Sequence, residues 1–260
     1  MLDETTDRYR APALDKGLDI LEVLADSEEG LTQTEIANAL ERTPNEIYRM
    51  LDRLVRRNYV VRQSGDRYEL TLKLFSLAHL HPPVRRLVNQ AMPTMRRVAA
   101  ECAQAVFIAI YDRGDLNSVA HVDPPGHWGV SIRVGARIGL FSAVPGLVLL
   151  AFSTPSQRAF MLAEHVVEPG ETIPPDLDTR LEVIRSSGYC MVESKQMVGV
   201  MMISVPITGP GGSAIAALTI PQLARVNSPQ SGAEMCIKSL MRAGGEISSI
   251  LAGPGRYLAR

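Results

Sequence analysis

The sequence predicts an α+β protein in two parts, a helical segment closed by a β-hairpin before residue 80 and a longer segment in which strands and helices alternate. Three observations carry this reading. Apolar residues recur at helical spacing three times before residue 58, and strand formers flank Ser64-Gly65-Asp66 directly afterwards. Pro82-Pro83 then interrupts the chain and the composition changes. With 260 residues, 46% hydrophobic and 21% charged, the chain has the composition of a folded, water-soluble protein. Lys and Arg number 27 against 28 Asp and Glu, so the chain as a whole is not a basic coat for a polyanion, although a local basic face stays open.

The first helix runs from Ala13 to about Leu24, with Leu14, Leu18, Ile20, Leu21, Val23 and Leu24 at helical spacing and a turn at Glu28-Glu29-Gly30. Thr32 stands three residues before Glu35, the spacing of a capping box, and Ile36, Ala37 and Leu40 follow on one face. Thr43, Pro44 and Glu46 start a third helix that extends to about Arg57. Its apolar side is Ile47, Met50, Leu51, Leu54 and Val55, which leaves Asn45, Tyr48, Arg49 and Arg53 for a partner. Tyr59 to Gln63 and Arg67 to Leu70 are the arms of a hairpin. Three helices and a hairpin make a winged helix-turn-helix over residues 1–80, a motif whose last helix enters the DNA major groove.

Charge supports that use. From Arg42 to Lys73 eight bases face four acids, a local excess of +4, whereas residues 1–41 are acidic. Arg49 suits guanine O6 and N7, and Asn45 suits adenine N6 and N7. Thr43, Tyr48 and Arg53 flank these two. On the wing, Arg62 and Arg67 suit phosphate or minor-groove contacts, as do Arg56 or Arg57. Each arginine is equally an ordinary solvated side chain, and the motif itself is open to use as a helical packing module.

Val84 to Gln104 reads as a linker helix, assigned to residues 81–104, in which Pro93 introduces a kink. Residues 105–260 form the second domain. Strands are expected at Val106 to Tyr111, Ser118 to Val122, Val130 to Val134, Val200 to Ile207 and Ser213 to Ile220. Helices are expected near Pro145 to Phe152, Pro155 to Glu164, Leu177 to Ser187 and Pro229 to Leu251, giving an antiparallel sheet flanked by helices.

Catalytic motifs are absent: there is no GxSxG elbow, no HExxH and no Walker sequence, and the chain is expected not to be an enzyme. Cys102, Cys190 and Cys236 are far apart in sequence and read as reduced core thiols, so neither a metal site nor a cofactor is expected. His121 and Asp123 share a strand face and can hydrogen-bond, and Gly209-Pro210-Gly211-Gly212 reads as a hairpin turn rather than a phosphate cradle. His127-Trp128 has no chemical assignment beyond a loop or a subunit contact. The N-terminus lacks a signal peptide pattern and no apolar run approaches the roughly 18 to 20 residues that span a bilayer, so the expected location is cytoplasmic.

ALDKGLDILEVLADSEEGLTQTEIANAL, IYRMLDRLVRRNYVVR, GDRYELTLKLFSLA, LFSAVPGLVLLA, Gly188-Tyr189, GVMMISVPI and AIAALTI, in this order, resemble the isocitrate lyase regulator (IclR) family of bacterial transcription factors. The resemblance implies a first domain that binds operator DNA and a second, GAF-like α/β domain that binds a small molecule. It places the effector between the sheet and the loop from Gly139 to Gly146, at Phe141, Ser142, Ala143, Gly146, Val192 or Glu193, Met202, Thr219 and Pro221. The family usually carries a histidine where Phe141 stands, a lysine at Leu147 and acidic residues where Met191-Val192-Glu193 lie. Few polar donors remain: Ser142, Ser204, Thr219 and Arg133 or Arg137. A largely apolar or aromatic effector follows, unless these side chains simply fill the core.

The expected function is therefore an effector-controlled regulator that binds an inverted repeat as a dimer or tetramer, with recognition helices about 34–36 Å apart. The alternative is a small-molecule-binding module that acts through protein partners and uses its winged domain to dimerise.

Overall fold

The structure is a computed structural model that describes residues 11–80, 82–126, 129–165, 171–224 and 232–252. His127-Trp128 and the segment from Pro229 to Ser231 lie outside the described residues. The chain divides into two compact units, one ending at Pro82 and one starting at Pro83.

In the first unit α1 (Pro12–Ala25), α2 (Gln33–Ala39) and α3 (Pro44–Arg56) pack around Ile20, Leu24, Ile36, Ala37, Ile47 and Leu51. Each large apolar side chain buried in this way contributes about 1.5–3 kcal/mol. Both capping boxes form. The Thr32 amide donates to Glu35 Oε2 at 2.7 Å and the Glu35 amide to Thr32 Oγ1 at 3.3 Å, while the Thr43 amide and hydroxyl both donate to Glu46 Oε2 at 2.8 Å. These bonds hold the carboxyl pKa values of Glu35 and Glu46 below the usual range. Between α2 and α3 the turn passes through Glu41 at φ +52° and closes with the Arg42 amide on the Ala37 carbonyl at 2.9 Å.

The wing is a three-stranded sheet in the order β1 (Leu31–Thr32), β3 (Arg67–Leu70), β2 (Val60–Arg62). Strand β1 was not expected: two residues show no periodicity, and the strand exists only because β3 pairs with it. Gly30, at φ +68°, lets the chain enter β1, since a Cβ there would stand 2.8 Å from the Tyr68 carbonyl oxygen. A further helix, α4 (Lys73–Leu80), follows the wing and was also not expected.

The second unit is a six-stranded antiparallel sheet with strand order β6 (Arg137–Ile138), β5 (Asp115–Val122), β4 (Val106–Asp112), β9 (Ala214–Leu223), β8 (Val200–Thr208), β7 (Cys190–Glu193). One face packs on α5 (Pro82–Cys102) and α9 (Ala233–Ala252) through Met95, Val98, Ile203, Leu218, Leu240 and Ile247. The helix read as a linker thus forms an outer layer of this unit, and it runs through Pro93 as one element. The other face packs on α6 (Val144–Ala151), α7 (Pro155–Glu164) and α8 (Leu177–Ser187) through Phe107, Val148, Leu149, Met161, Leu181 and Ala217.

Val130 to Val134 does not form the expected strand. The edge of β5 is taken instead by the chain from Gly135 onward: the Gly135 amide donates to the Ser118 carbonyl at 2.7 Å, the Ser118 amide to the Ala136 carbonyl at 3.0 Å, and Ile138 pairs with Leu116. Strand β7 at the opposite edge was missed because it is short and three of its four residues are exposed.

Candidate functional site

On α3 the sequence-predicted residues lie together on an exposed side. Asn45, Arg49 and Arg53 follow at four-residue intervals, with Tyr48 beside them, and all four are exposed while Ile47 and Leu51 are buried. Among the described residues the guanidinium groups of Arg49 and Arg53 make no ion pair or hydrogen bond, whereas Arg56 is held by Asp52 at 2.8 Å. Thr43 spends its hydroxyl on capping. Exposed arginine heads on a helix whose opposite face is core keep their full capacity for phosphate or base edges.

The two wing arginines differ. Arg62 donates to Asp66 Oδ1 at 2.7 Å, lies 5.8 Å from the centre of the Tyr68 ring, and stays more than half exposed. Arg67 turns its guanidinium inward, donating through Nε to the carbonyls of Glu29 at 3.1 Å and Gly30 at 3.2 Å, and through Nη2 to Gly30 at 2.9 Å. Its donors tie β3 to the turn before β1. Lys73 donates to the Arg57 carbonyl at 2.5 Å and lies 4.5 Å from the centre of the Tyr59 ring.

In the second unit the strand registers place several predicted residues in rows across the sheet face toward α6, because paired residues of an antiparallel ladder share a face. Val192, Met202 and Pro221 form one row, and Cys190, Ser204, Thr219, Phe107 and His121 form the next. Strand alternation turns Glu193 to the opposite face, which separates it from Val192. Ser204 and Thr219 are fully buried and hydrogen-bond to each other at 2.8 Å, so these hydroxyls are engaged. Ser118, one row further along, is also buried and its Oγ has no partner among the described residues. It was missed because nothing in a strand sequence shows which hydroxyl will lack a partner. His121 Nε2 lies 2.9 Å from Asp123 Oδ1, as its position two residues away allows.

The loop before α6 holds Phe141, Ser142 and Ala143. Phe141 is buried, its ring in T-shaped contact with His165 at 5.1 Å, while Ser142 is exposed. Gly146 has a packing role: a Cβ there would lie 2.1 Å from the Leu140 carbonyl oxygen, so only glycine lets the loop close on α6. Arg137 is committed to Asp115 with two contacts of 2.7 Å, and Arg133 is exposed. Glu171 and His165, which sequence reasoning did not single out, brace this loop from behind.

A cleft of about 550 Å³ opens between α6, α8 and β7, lined by Leu147, Val183, Ile184, Tyr189, Met191 and Val192, with the Asp176–Arg180 ion pair among its polar groups. Burial pushes the Cys190 thiol in its wall up to about 11, so this sulfur is a neutral apolar contact. Of the predicted effector residues, Val192 lines this cleft. No group of His, Cys, Asp and Glu suited to a metal ion occurs among the described residues, and no described helix is long and apolar enough to cross a membrane.

Comparison with known proteins agrees with both units. Residues 13–64 match the IclR helix-turn-helix domain, and residues 83–249 match the bacterial transcriptional regulator IclR C-terminal domain. Among curated relatives, the HTH-type transcriptional regulator KdgR of Dickeya chrysanthemi is 26% identical over 210 residues, covering 77% of this chain and 67% of its own. The Pca regulon regulatory protein of Pseudomonas putida is 24% identical over 213 residues, covering 80% and 73%. Thermotoga maritima IclR shares the fold with a TM-score of 0.74 at 23% identity, over 92% of this chain and 98% of that one. An IclR homolog from Microbacterium hydrocarbonoxydans, solved in complex with 4-hydroxybenzoate, does so with a TM-score of 0.76 at 23% identity, over 93% and 100%. A helix-turn-helix unit followed by a six-stranded antiparallel sheet, matched over most of the chain by both domain models, makes this protein a member of the IclR family of bacterial transcriptional regulators.

Proposed function

We propose that this regulator binds an inverted-repeat operator as a dimer or tetramer and responds to a small, largely apolar or aromatic metabolite. The observation that carries the operator reading is the exposed Asn45–Arg49–Arg53 stripe on α3, whose two arginines have no protein partner among the described residues. Asn45 and Arg49 read base edges, Thr43, Tyr48 and Arg53 flank the phosphates, and Arg62 contacts the backbone from the wing. Arg67 acts indirectly by fixing the wing. One such unit covers a half-site, so an inverted repeat calls for two copies. Exposed Leu14, Leu18, Leu72 and Leu77 in the first unit supply apolar area for such pairing.

The effector reading is supported by the apolar lining of the cleft beside β7 and by Met202 and Pro221 in register with Val192; Phe141, Ser142 and Ala143, on the loop before α6, are not among the residues that line this cleft. A relative solved with an aromatic ligand is consistent with this class. Effector and operator affinities are then reciprocally coupled: each ligand changes the other's binding by the same factor.

Selection of fragmented genomic DNA by the purified protein, followed by binding to the best fragment over a range of salt, tests the proposal. Enrichment of a few inverted repeats with a steep salt slope is expected, because neutralised phosphates release counterions. A folded dimer that enriches no site, with or without a pool of aromatic and aliphatic metabolites, would transfer the function to protein partners.

A further inference from the structure

Among the described residues one hydrogen bond crosses between α2 and α3. Gln33, the first residue of α2, donates from Nε2 to the carbonyl of Pro44, the first residue of α3, at 2.9 Å. The other contacts between these helices are of a different kind. Ile36, Ala37, Ile47 and Leu51 meet in the core, and apolar packing is non-directional. The Thr43–Glu46 box closes within α3 and the Thr32–Glu35 box within the start of α2, so neither ties one helix to the other. The Arg42 amide on the Ala37 carbonyl closes the turn at the opposite end of α2 from Gln33. Pro44 has no N–H, so the start of α3 has no backbone donor of its own at this residue. Its carbonyl has two lone pairs, one for the Tyr48 amide a turn along the helix and one for Gln33.

Asn45 follows Pro44 directly and begins the exposed stripe of α3. A two-point contact to a base edge holds only while the side chain stays within about 0.5 Å and 10–20° of its productive geometry. Support at Pro44 acts on Asn45 first, because Arg49 and Arg53 lie one and two turns further along the helix. We propose that Gln33 is a specificity-determining positioning residue: by holding the Pro44 carbonyl it sets where α3 begins, and so how sharply Asn45 discriminates its base. The proposal rests on the operator reading above and adds a residue outside the reading helix. Gln33 is uncharged, so its loss releases no counterion and leaves the salt dependence of binding as it is. That separates its action from the loss of a phosphate-contacting arginine, which lowers the salt slope.

The test measures binding of the full chain to the best fragment selected from genomic DNA and to a panel of its single-base variants. Asn45→Ala first identifies the position that Asn45 reads, as the one where discrimination disappears. Gln33→Met, similar in length and without a donor, should lower discrimination at that position by about fivefold, the lower end of what a good base contact gives. The position read by Arg49, the salt slope and the urea midpoint should keep their wild-type values. In the Asn45→Ala background Gln33→Met should have no further effect at that position, since a positioning residue acts through the residue it holds. Gln33→Lys returns a donor and should restore the discrimination. Any general attraction of the added charge to phosphate raises every operator variant alike and cancels in the ratio. Unchanged discrimination in Gln33→Met overturns the proposal, as do additivity with Asn45→Ala and a Gln33→Lys that discriminates no better than Gln33→Met. Uniform weakening over the panel with a lowered urea midpoint also overturns it, because the bond would then serve stability alone. All of these outcomes leave operator binding standing. A selection that enriches no site, or an Asn45→Ala that alters no position, instead removes the operator reading of Asn45 and this proposal with it.

Discussion

The exposed side of α3 and the loop before α6 are built from similar polar material and use it in opposite ways. On α3, Arg49 and Arg53 are exposed and unpaired among the described residues, and the helix beneath them is stabilised independently by Ile47, Leu51 and the Thr43–Glu46 cap. Behind the loop, Glu171 and His165 have buried side chains engaged with each other and with the backbone, and on the sheet Ser204 and Thr219 are buried and bonded to each other. An exposed charge without a partner is available to a ligand and adds little to the fold. A buried, bonded one adds to the fold and is lost to the ligand unless the ligand replaces its partner.

The largest effect that tests this contrast is expected at Gly146. Alanine there puts a methyl group 2.1 Å from the Leu140 carbonyl oxygen, a backbone atom that cannot rotate away. Gly146→Ala should destabilise the second unit by about 3 kcal/mol, in the range of overpacked cores, read from urea unfolding. A loss below the noise of the measurement would mean that the loop is not closed on α6 as described.

Arg49→Ala is expected to act on DNA alone. It should lose about 1–3 kcal/mol of discrimination at one base position while leaving the urea midpoint unchanged, which binding to a panel of single-base operator variants would read. Uniform weakening across the panel would make Arg49 a phosphate contact instead.

Arg67→Ala draws the line between the two uses within the wing. Sequence alone groups Arg67 with Arg62 as exposed wing cations, yet its donors reach the carbonyls of Glu29 and Gly30. The expected result is a loss of about 1 kcal/mol in the stability of the first unit. Arg53→Ala, by contrast, should lower the salt slope by about one with no change in stability. Equal slopes for wild type and Arg53→Ala would remove Arg53 from the phosphate footprint.

These variants also mark how far the sequence could be read. Local signals were legible: both capping boxes form at the expected residues, and α7 and α8 keep their predicted bounds, because caps and helical periods are encoded within a few residues. What depends on a distant partner was not. Strand β1 needs β3, the edge beside β5 went to Arg137–Ile138 rather than to the more strand-like Val130 to Val134, and the inward turn of Arg67 depends on carbonyls 37 and 38 residues away. The α3 stripe was visible because periodicity alone exposes it. The Glu171–His165 pair was not, since no spacing rule links a carboxylate to amides 29 and 30 residues earlier.

The smallest effect is a difference in the sign of pH dependence between the two regions. Burial works against the charged form of His165, but the Gly114 carbonyl and the bond and charge of Glu171 outweigh it, so its pKa is raised in the folded chain. A group that holds its proton more tightly when folded gives its full stabilisation below the unfolded value, about 6.5, and loses it as pH rises through the folded value. Glu35 and Glu46 are shifted the other way, downward, by the bonds from Thr32 and Thr43. Their contribution is present above the ordinary glutamate value of about 4.3 and is lost as pH falls through the lowered one. Amide exchange followed separately at Leu149 in α6 and at Ile47 in α3 should therefore show protection declining on the alkaline side for the second unit and on the acid side for the first. His165→Gln should flatten the alkaline decline at Leu149 and leave Ile47 untouched. A decline that persists in His165→Gln would show that the buried pair is not the group that holds the proton, and the division between a ligand-facing helix and an inward-facing loop would then need a different electrostatic basis.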